Sequence, residues 1–292
     1  MYLPILILHR GYSTYLMYCL AQAKALNPDS DVILLGNESN KHIDFVFYEN
    51  IEKYDDEAKE FEKIYSSKHM SFSEYQYELF CFQRWFILKR FLEKNNLDRC
   101  IHLDSDVMIY VNLLDEFSKK FEKFNFTLSK KGSGHNSFIK YQGIENFCQL
   151  LTNFYTDPGL YEILKSIREK ALSAGQKAGG ICDMTLLNQY YQRYSHEIGI
   201  TSDIIDDSVY DANINNSDGF EMYDGIKKIY WVDGHPVCKH LNSGREIRFN
   251  SLHFQGQSKK YIKNYFTGNN QKLNYYQFKY KVSNFLDKYT IR

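Results

Sequence analysis

Asp104 and Asp106 stand two residues apart in the stretch Arg99-Cys-Ile-His-Leu-Asp-Ser-Asp-Val-Met-Ile-Tyr110, directly after an apolar run. Ile101 and Leu103 alternate with His102 as in a strand, and Val107, Ile109 and Tyr110 continue the apolar character beyond the acids. Two carboxylates at the carboxyl end of a buried strand repel each other and are costly to desolvate. A divalent cation with oxygen ligands removes both problems. In an open α/β sheet that end of a strand is also where ligands bind. The chemistry implied is a metal–diphosphate clamp. Asp-Ser-Asp is equally an ordinary turn, its side chains bonding nearby amides, so the rest of the chain has to decide.

A second group lies about 150 residues later, in His253-Phe-Gln-Gly256-Gln-Ser-Lys259, at the end of a predicted strand Arg248–Phe254. Imidazole is an acceptable partner for carboxylates around manganese. Gly256 permits close backbone approach to a phosphate, and Lys259 supplies a point charge. The plainer alternative is a strand end followed by a basic turn.

The elements that must position these groups follow from periodicity. Leu3–Leu8 and Asp31–Gly36 are continuous apolar runs and predict buried strands, with a helix over Ser13–Leu26 between them. Ile43–Tyr48 alternates and predicts a third strand. Strand, helix, strand at this spacing opens a doubly wound parallel sheet. Helices are expected over Asp55–Tyr65 and over Ser73–Asn95, the latter capped by Ser73 and packed on the sheet through Phe80, Trp85 and Leu92. An edge strand at Phe124–Leu128 and a loop over Lys130–Asn136 come next. Helices follow at Ile144–Tyr155, Leu160–Leu172 and, after Gly179-Gly180, Ile181–Tyr194. Asp206–Tyr230 reads as short strands and turns.

Formal net charge is zero, which argues against a general nucleic-acid binder. The tail departs from that balance. From Gln257 to Arg292 eight Lys or Arg (259, 260, 263, 272, 279, 281, 288 and 292) face a single acid, Asp287, and are interleaved with aromatics such as Tyr276, Tyr280, Phe285 and Tyr289. That composition suits an anionic membrane surface, or a helix packed on the domain through its rings. The six cysteines show no Cys-x-x-Cys pair and no zinc spacing, and Cys81, Cys100 and Cys148 read as buried thiols. The N-terminal apolar run is too short for a signal sequence, and no apolar run approaches a membrane span. The expected place is the cytoplasm, peripheral at the inner face of the membrane if the tail binds lipid.

Asp-x-Asp after a strand, with His-x-x-Gly-x-x-Lys near the C-terminus, resembles the GT-A fold glycosyltransferases. The chain is similar in particular to the retaining family 8 type, the bacterial lipopolysaccharide galactosyltransferases and glycogenin. The resemblance implies an α/β, Rossmann-like fold with a mixed, mostly parallel sheet flanked by helices over residues 1–262, followed by a basic aromatic tail, 263–292. It assigns Asp104, Asp106 and His253 to one manganese (or magnesium) ion, and Gly256 and Lys259 to the diphosphate, with Ser105 in the variable middle position. Arg84, on the helix before the metal strand, matches an Arg that reaches the diphosphate region. Asp183-Met-Thr-Leu-Leu-Asn188 is similar to the family's Asp-Gln-x-x-Leu-Asn segment, whose acid faces the donor sugar, but Met184 replaces the glutamine. Arg84 and Asp183 are thus the catalytic candidates. His135-Asn136-Ser137 is like the family's Asn-x-Gly sugar loop without its glycine, which makes Asn136 a sugar-facing candidate.

His9, Tyr12 and Asn37 end the first two strands and fall near the nucleoside. Their types do not choose between uridine and guanosine, and the resemblance favours a UDP-sugar. The expected activity is metal-dependent transfer of a hexose from a nucleotide diphosphate sugar to a hydroxyl of a glycan or lipid-linked acceptor, with retention. The alternative is a non-catalytic nucleotide-sugar-binding or scaffold domain of the same fold. Two other enzyme classes fit less well: a haloacid-type phosphatase wants a Thr where Val107-Met108 stands, and a nucleotidyltransferase wants a glycine-rich loop where His9-Arg10-Gly11-Tyr12 supplies one glycine.

Overall fold

The structure, a computed structural model, describes residues 2–175 and 180–290, with side chains as far as Asp287. Gly179 and Arg292, and the side chains of Lys288 and Tyr289, lie outside the described residues. Strands β1 (Ile5–His9) and β2 (Val32–Gly36) flank helix α1 (Thr14–Leu26), and β3 (Phe47–Asn50) completes the opening unit. Helices α2 (Asp56–Tyr65) and α3 (Tyr75–Lys94) lead to β4 (Arg99–Leu103) and β5 (Val107–Ile109). A one-turn α4 (Leu113–Glu116) precedes β6 (Phe126–Leu128), β7 (Asn136–Lys140), α5 (Tyr141–Thr156), α6 (Pro158–Ser173) and α7 (Asp183–Tyr194). Short strands follow: β8 (Ile198–Ile200), β9 (Ser208–Tyr210), β10 (Met222–Tyr223), β11 (Ile226–Lys227) and β12 (Tyr230–Val232). Then come β13 (His235–Lys239), β14 (Glu246–His253), a 3-10 stretch at Gly256–Tyr265, and α8 (Asn270–Thr290).

The central sheet has the order β3-β2-β1-β4-β7-β6-β8, and β7 alone runs against its neighbours. It is a mixed, mostly parallel sheet flanked by helices. The strands β1 and β2 read as continuous apolar runs because both of their faces are covered. Leu6, Leu8 and Leu35 face a core built with α2, α3 and α5. Ile5, Ile7 and Leu34 face the opposite core, where α1 and α8 pack. A second sheet, β12-β13-β14-β5 with β9 against β14, joins the first at the turn between β4 and β5.

Several boundaries differ from the sequence expectation. The third strand lies at Phe47–Asn50 rather than Ile43–Tyr48, because Ile43, Phe45 and Val46 are spent on the core under α8 instead of on pairing. Helix α3 starts at Tyr75 after Glu74, so Ser73 is not its cap. The strand at Phe126–Leu128 is interior, since β8 covers the side expected to be an edge. Asn136, assigned to a loop, opens β7. Cys81 is only half-buried, unlike Cys100 and Cys148. The tail packs on the domain. Leu273 and Tyr280 are buried, and Tyr276 stacks on Phe45 with ring centroids 4.2 Å apart. The other side of α8 leaves Tyr275, Phe278 and Phe285 exposed. Among the described residues no helix is long and apolar enough to cross a membrane.

Candidate active site

Strand order turns outward from β1 in both directions, with β2 and β3 on one side and β4 on the other. The crevice beyond the carboxyl ends of β1 and β4 is therefore the topological switch point, where α/β sheets bind ligands. His9 ends β1 there, and its Nδ1 lies 2.9 Å from Ser105 Oγ, in the turn that leaves β4.

Asp104-Ser105-Asp106 is the point where the chain passes from one sheet to the other, and Val107 N donates back to Asp104 O across it (3.1 Å). Antiparallel pairing of β5 with β14 sets His253 opposite Val107, which delivers the imidazole beside Asp106. His253 Nε2 lies 3.5 Å from Asp106 Oδ1. Its Nδ1 is 2.8 Å from the Ala212 carbonyl, an acceptor only, so Nδ1 carries a proton and Nε2 is the nitrogen left for a metal. One ligand atom from each of Asp104, Asp106 and His253 lies within 4.8 Å of the others. Two carboxylates and one such imidazole form a donor set suited to a divalent ion of the magnesium–manganese kind.

Cations already surround these acids. Arg84 bridges two of them, Nη1 to Asp104 Oδ1 at 2.7 Å and Nη2 to Asp183 Oδ2 at 2.5 Å. Lys259 Nζ is 3.1 Å from Asp106 Oδ2 and lies over the Tyr15 ring. Burial pushes both acids of the pair upward. Arg84, His102 and His253 together outweigh it at Asp104, and His253 with Lys259 at Asp106, so both are held below the usual carboxylate range. Burial, followed by the charge of Lys259, lowers His9 to about 4, which keeps it neutral at pH 7. Gly256 has a φ of +63° and open space where a Cβ would project, so its backbone is accessible at the start of the stretch carrying Lys259.

Asp183 opens α7 and is nearly inaccessible; its Oδ2 also accepts from Trp85 Nε1 at 3.1 Å. Met184, next to it, is exposed. Asn37 ties two loops together: its Oδ1 accepts from Gly11 N (3.0 Å) and Ser39 Oγ (2.8 Å). Tyr12 is stacked against Tyr280 of α8. Asn136 is buried beside Leu103, its Oδ1 accepting from Thr201 Oγ1 at 2.7 Å, so this amide braces the strand rather than presenting itself to a ligand. Asp104, Asp106, His253, Arg84, Asp183, Lys259 and, through Ser105, His9 thus form one connected group.

Four contributors were not evident from sequence. His102 is buried with Nε2 3.2 Å from Asp104 Oδ1. Asp211 accepts from His253 N (3.1 Å) through Oδ2 and from the buried Lys227 ammonium (2.8 Å) through Oδ1. His135 stacks on His253 with centroids 4.0 Å apart. Glu78, buried on α3, forms a second acid group with Cys81 and Asp183. His102 carried a signal, a polar residue inside a strand two positions before Asp104. Asp211 and Lys227 carried none, because both sit in what reads as turns.

No family model matches the chain, and no curated protein matches it. Solved structures do. Mouse xyloside xylosyltransferase 1 in its apo form is 10% identical, with 68% of this chain and 85% of that one covered, at a TM-score of 0.47. The galactosyltransferase LgtC in complex with donor and acceptor sugar analogs is also 10% identical, with 96% of each chain covered, at 0.46. The bifunctional glycosyltransferase WbbM is 12% identical, with 94% of this chain and 51% of that one covered, at 0.45. Likenesses of this degree assign no chemistry to individual side chains.

Proposed function

We propose that the chain is a GT-A type glycosyltransferase that moves a hexose from a nucleotide diphosphate sugar, a UDP-sugar by preference, to a hydroxyl of a glycan or lipid-linked acceptor. The observation that carries this reading is the convergence of Asp104, Asp106 and a His253 with its tautomer fixed, at the switch point of the sheet, with Lys259 and Arg84 at its rim. Manganese or magnesium held by these three residues would neutralise charge developing on the departing diphosphate. Lys259 and the Gly256 backbone would bind phosphate oxygens. Arg84 holds Asp104 and Asp183 in fixed relation, so the metal side and the sugar side of the site share one brace. Asp183 Oδ2, committed to Arg84 and Trp85, suits charge stabilisation of an oxocarbenium-like sugar better than proton abstraction. That arrangement fits retention, with the leaving phosphate taking the acceptor proton on the same face.

The test is release of nucleoside diphosphate from a panel of UDP-, GDP- and CDP-hexoses with manganese, in wild type and Asp106→Asn. Slow turnover of one donor, reduced at least a hundredfold in the variant, is expected (on the order of the loss from a removed charge stabiliser). Donor binding without any turnover supports the scaffold alternative.

A further inference from the structure

Helix α8 does more than cover a core. Four of its residues reach the loops that follow β1 and β2. Tyr276 stacks on Phe45, and Lys279 pairs with Asp44. Tyr280 lies nearly flat on Tyr12, with centroids 4.3 Å apart and planes 13° apart, and its hydroxyl donates to Ser39 O at 2.7 Å. Asp287 lies 2.7 Å from both Lys41 Nζ and His42 Nε2. The same two loops are stitched to each other: Asn37 accepts from Gly11 N, and Asn40 Nδ2 donates to Gly11 O at 2.6 Å.

The geometry points to α8 as the outer wall of the nucleoside end of the donor site, with Tyr280 as the residue that positions the Tyr12 ring. This rests on the nucleotide-sugar reading above. One face of the Tyr12 ring is taken by Tyr280, so a base that stacks on Tyr12 must use the other. A ring backed in this way is held in plane before a ligand arrives, which lowers the ordering cost of stacking a flat base on it. Because docking of α8 and binding of the nucleoside share Tyr12 and the Asn37–Asn40 turn, the two are linked, and each strengthens the other by the same factor.

Calorimetric titration of the full chain with UDP, GDP and CDP in the presence of manganese tests this. For whichever nucleotide binds, Tyr280→Leu is expected to weaken affinity about fivefold, the scale of one aromatic pair. Tyr280→Phe, which keeps the ring but not the bond to Ser39 O, is expected to lose less than Tyr280→Leu, and Phe278→Ala, on the exposed side of α8, to bind as wild type. Wild-type affinity in a folded Tyr280→Leu overturns the inference and leaves the donor reading intact. Failure of wild type to bind any of the three nucleotides removes the donor reading itself. Should Tyr280→Leu not fold, amide exchange in wild type decides: slowing across residues 276–287 on nucleotide binding supports the linkage, and unchanged exchange overturns it.

Discussion

At the scale of single residues, the site is built from charges that are costly alone and tolerable in company. Lys227 and Asp211 are each about 1% exposed, and the pair holds the backbone of His253 through the second Asp211 oxygen. Lys227→Met leaves a buried carboxylate without its main partner, and a loss of roughly 3–5 kcal/mol in urea denaturation is expected. The double change Asp211→Asn/Lys227→Met should recover a large part of it. A double variant no more stable than Lys227→Met would show that the ammonium acts through other contacts. Glu78 gives a pH signature. Burial, which outweighs the hydroxyl of Ser71, raises its carboxyl to about 7. An unfolded Glu titrates near about 4.3, so the native state holds the extra proton between the two values and stability falls as pH rises through that window. Glu78→Gln lacks this loss. Its stability relative to wild type should shift by on the order of 4 kcal/mol in its favour between about pH 4 and about pH 8, and parallel pH profiles would contradict the assignment. The metal-ligand candidates were legible as residues because each sits in a short motif at a strand end. Asp211 and Lys227 were not, because nothing local marks a pair formed between the end of β9 and the two-residue strand β11.

At the scale of elements, what matters is which strand feeds which sheet. Alternation through Ile101 and Leu103 predicts a strand that ends at the two acids, with apolar residues continuing from Val107. In the fold, Asp104-Ser105-Asp106 is a crossing from the central sheet to the second one, and β14 pairs with the far side of that crossing. Sequence periodicity identifies β1, β2, α1 and α3 because their burial is uniform along the element. It misplaces β3 and misses β7, where the apolar residues are shared between pairing and packing under other elements. The approach of the β6–β7 connection to α3 is one such shared contact. A Cβ on Gly134 would lie 2.3 Å from Trp85 Cη2, and Trp85 is fully buried, so the ring cannot swing aside. Gly134→Ala is therefore expected to cost roughly 1–3 kcal/mol and to disturb the Trp85–Asp183 hydrogen bond. Thermal denaturation together with indole fluorescence would register both. An unchanged melting point would mean that the connection yields instead of the ring.

At the scale of the whole molecule, the candidate site lies where the two sheets meet. The turn that leaves the central sheet contributes Asp104 and Asp106, and the second sheet His253, so a cation bound there would link them. The basic aromatic tail, which composition left between two fates, is docked by Leu273, Tyr276 and Tyr280 while its other side stays exposed. With a net charge of zero the chain has no global field to draw an anion in, so an anionic donor, as proposed, would have to be met locally by Lys259. The central claim is that Asp104, Asp106 and His253 hold a metal that completes a nucleotide diphosphate site. Calorimetry with UDP, GDP and CDP, with and without manganese, on wild type and Asp106→Asn addresses it most directly. The account predicts that wild type binds one of these nucleotides only when manganese is present and that Asp106→Asn does not. Binding of none by a folded wild type, or metal-independent binding that survives in Asp106→Asn, would contradict it.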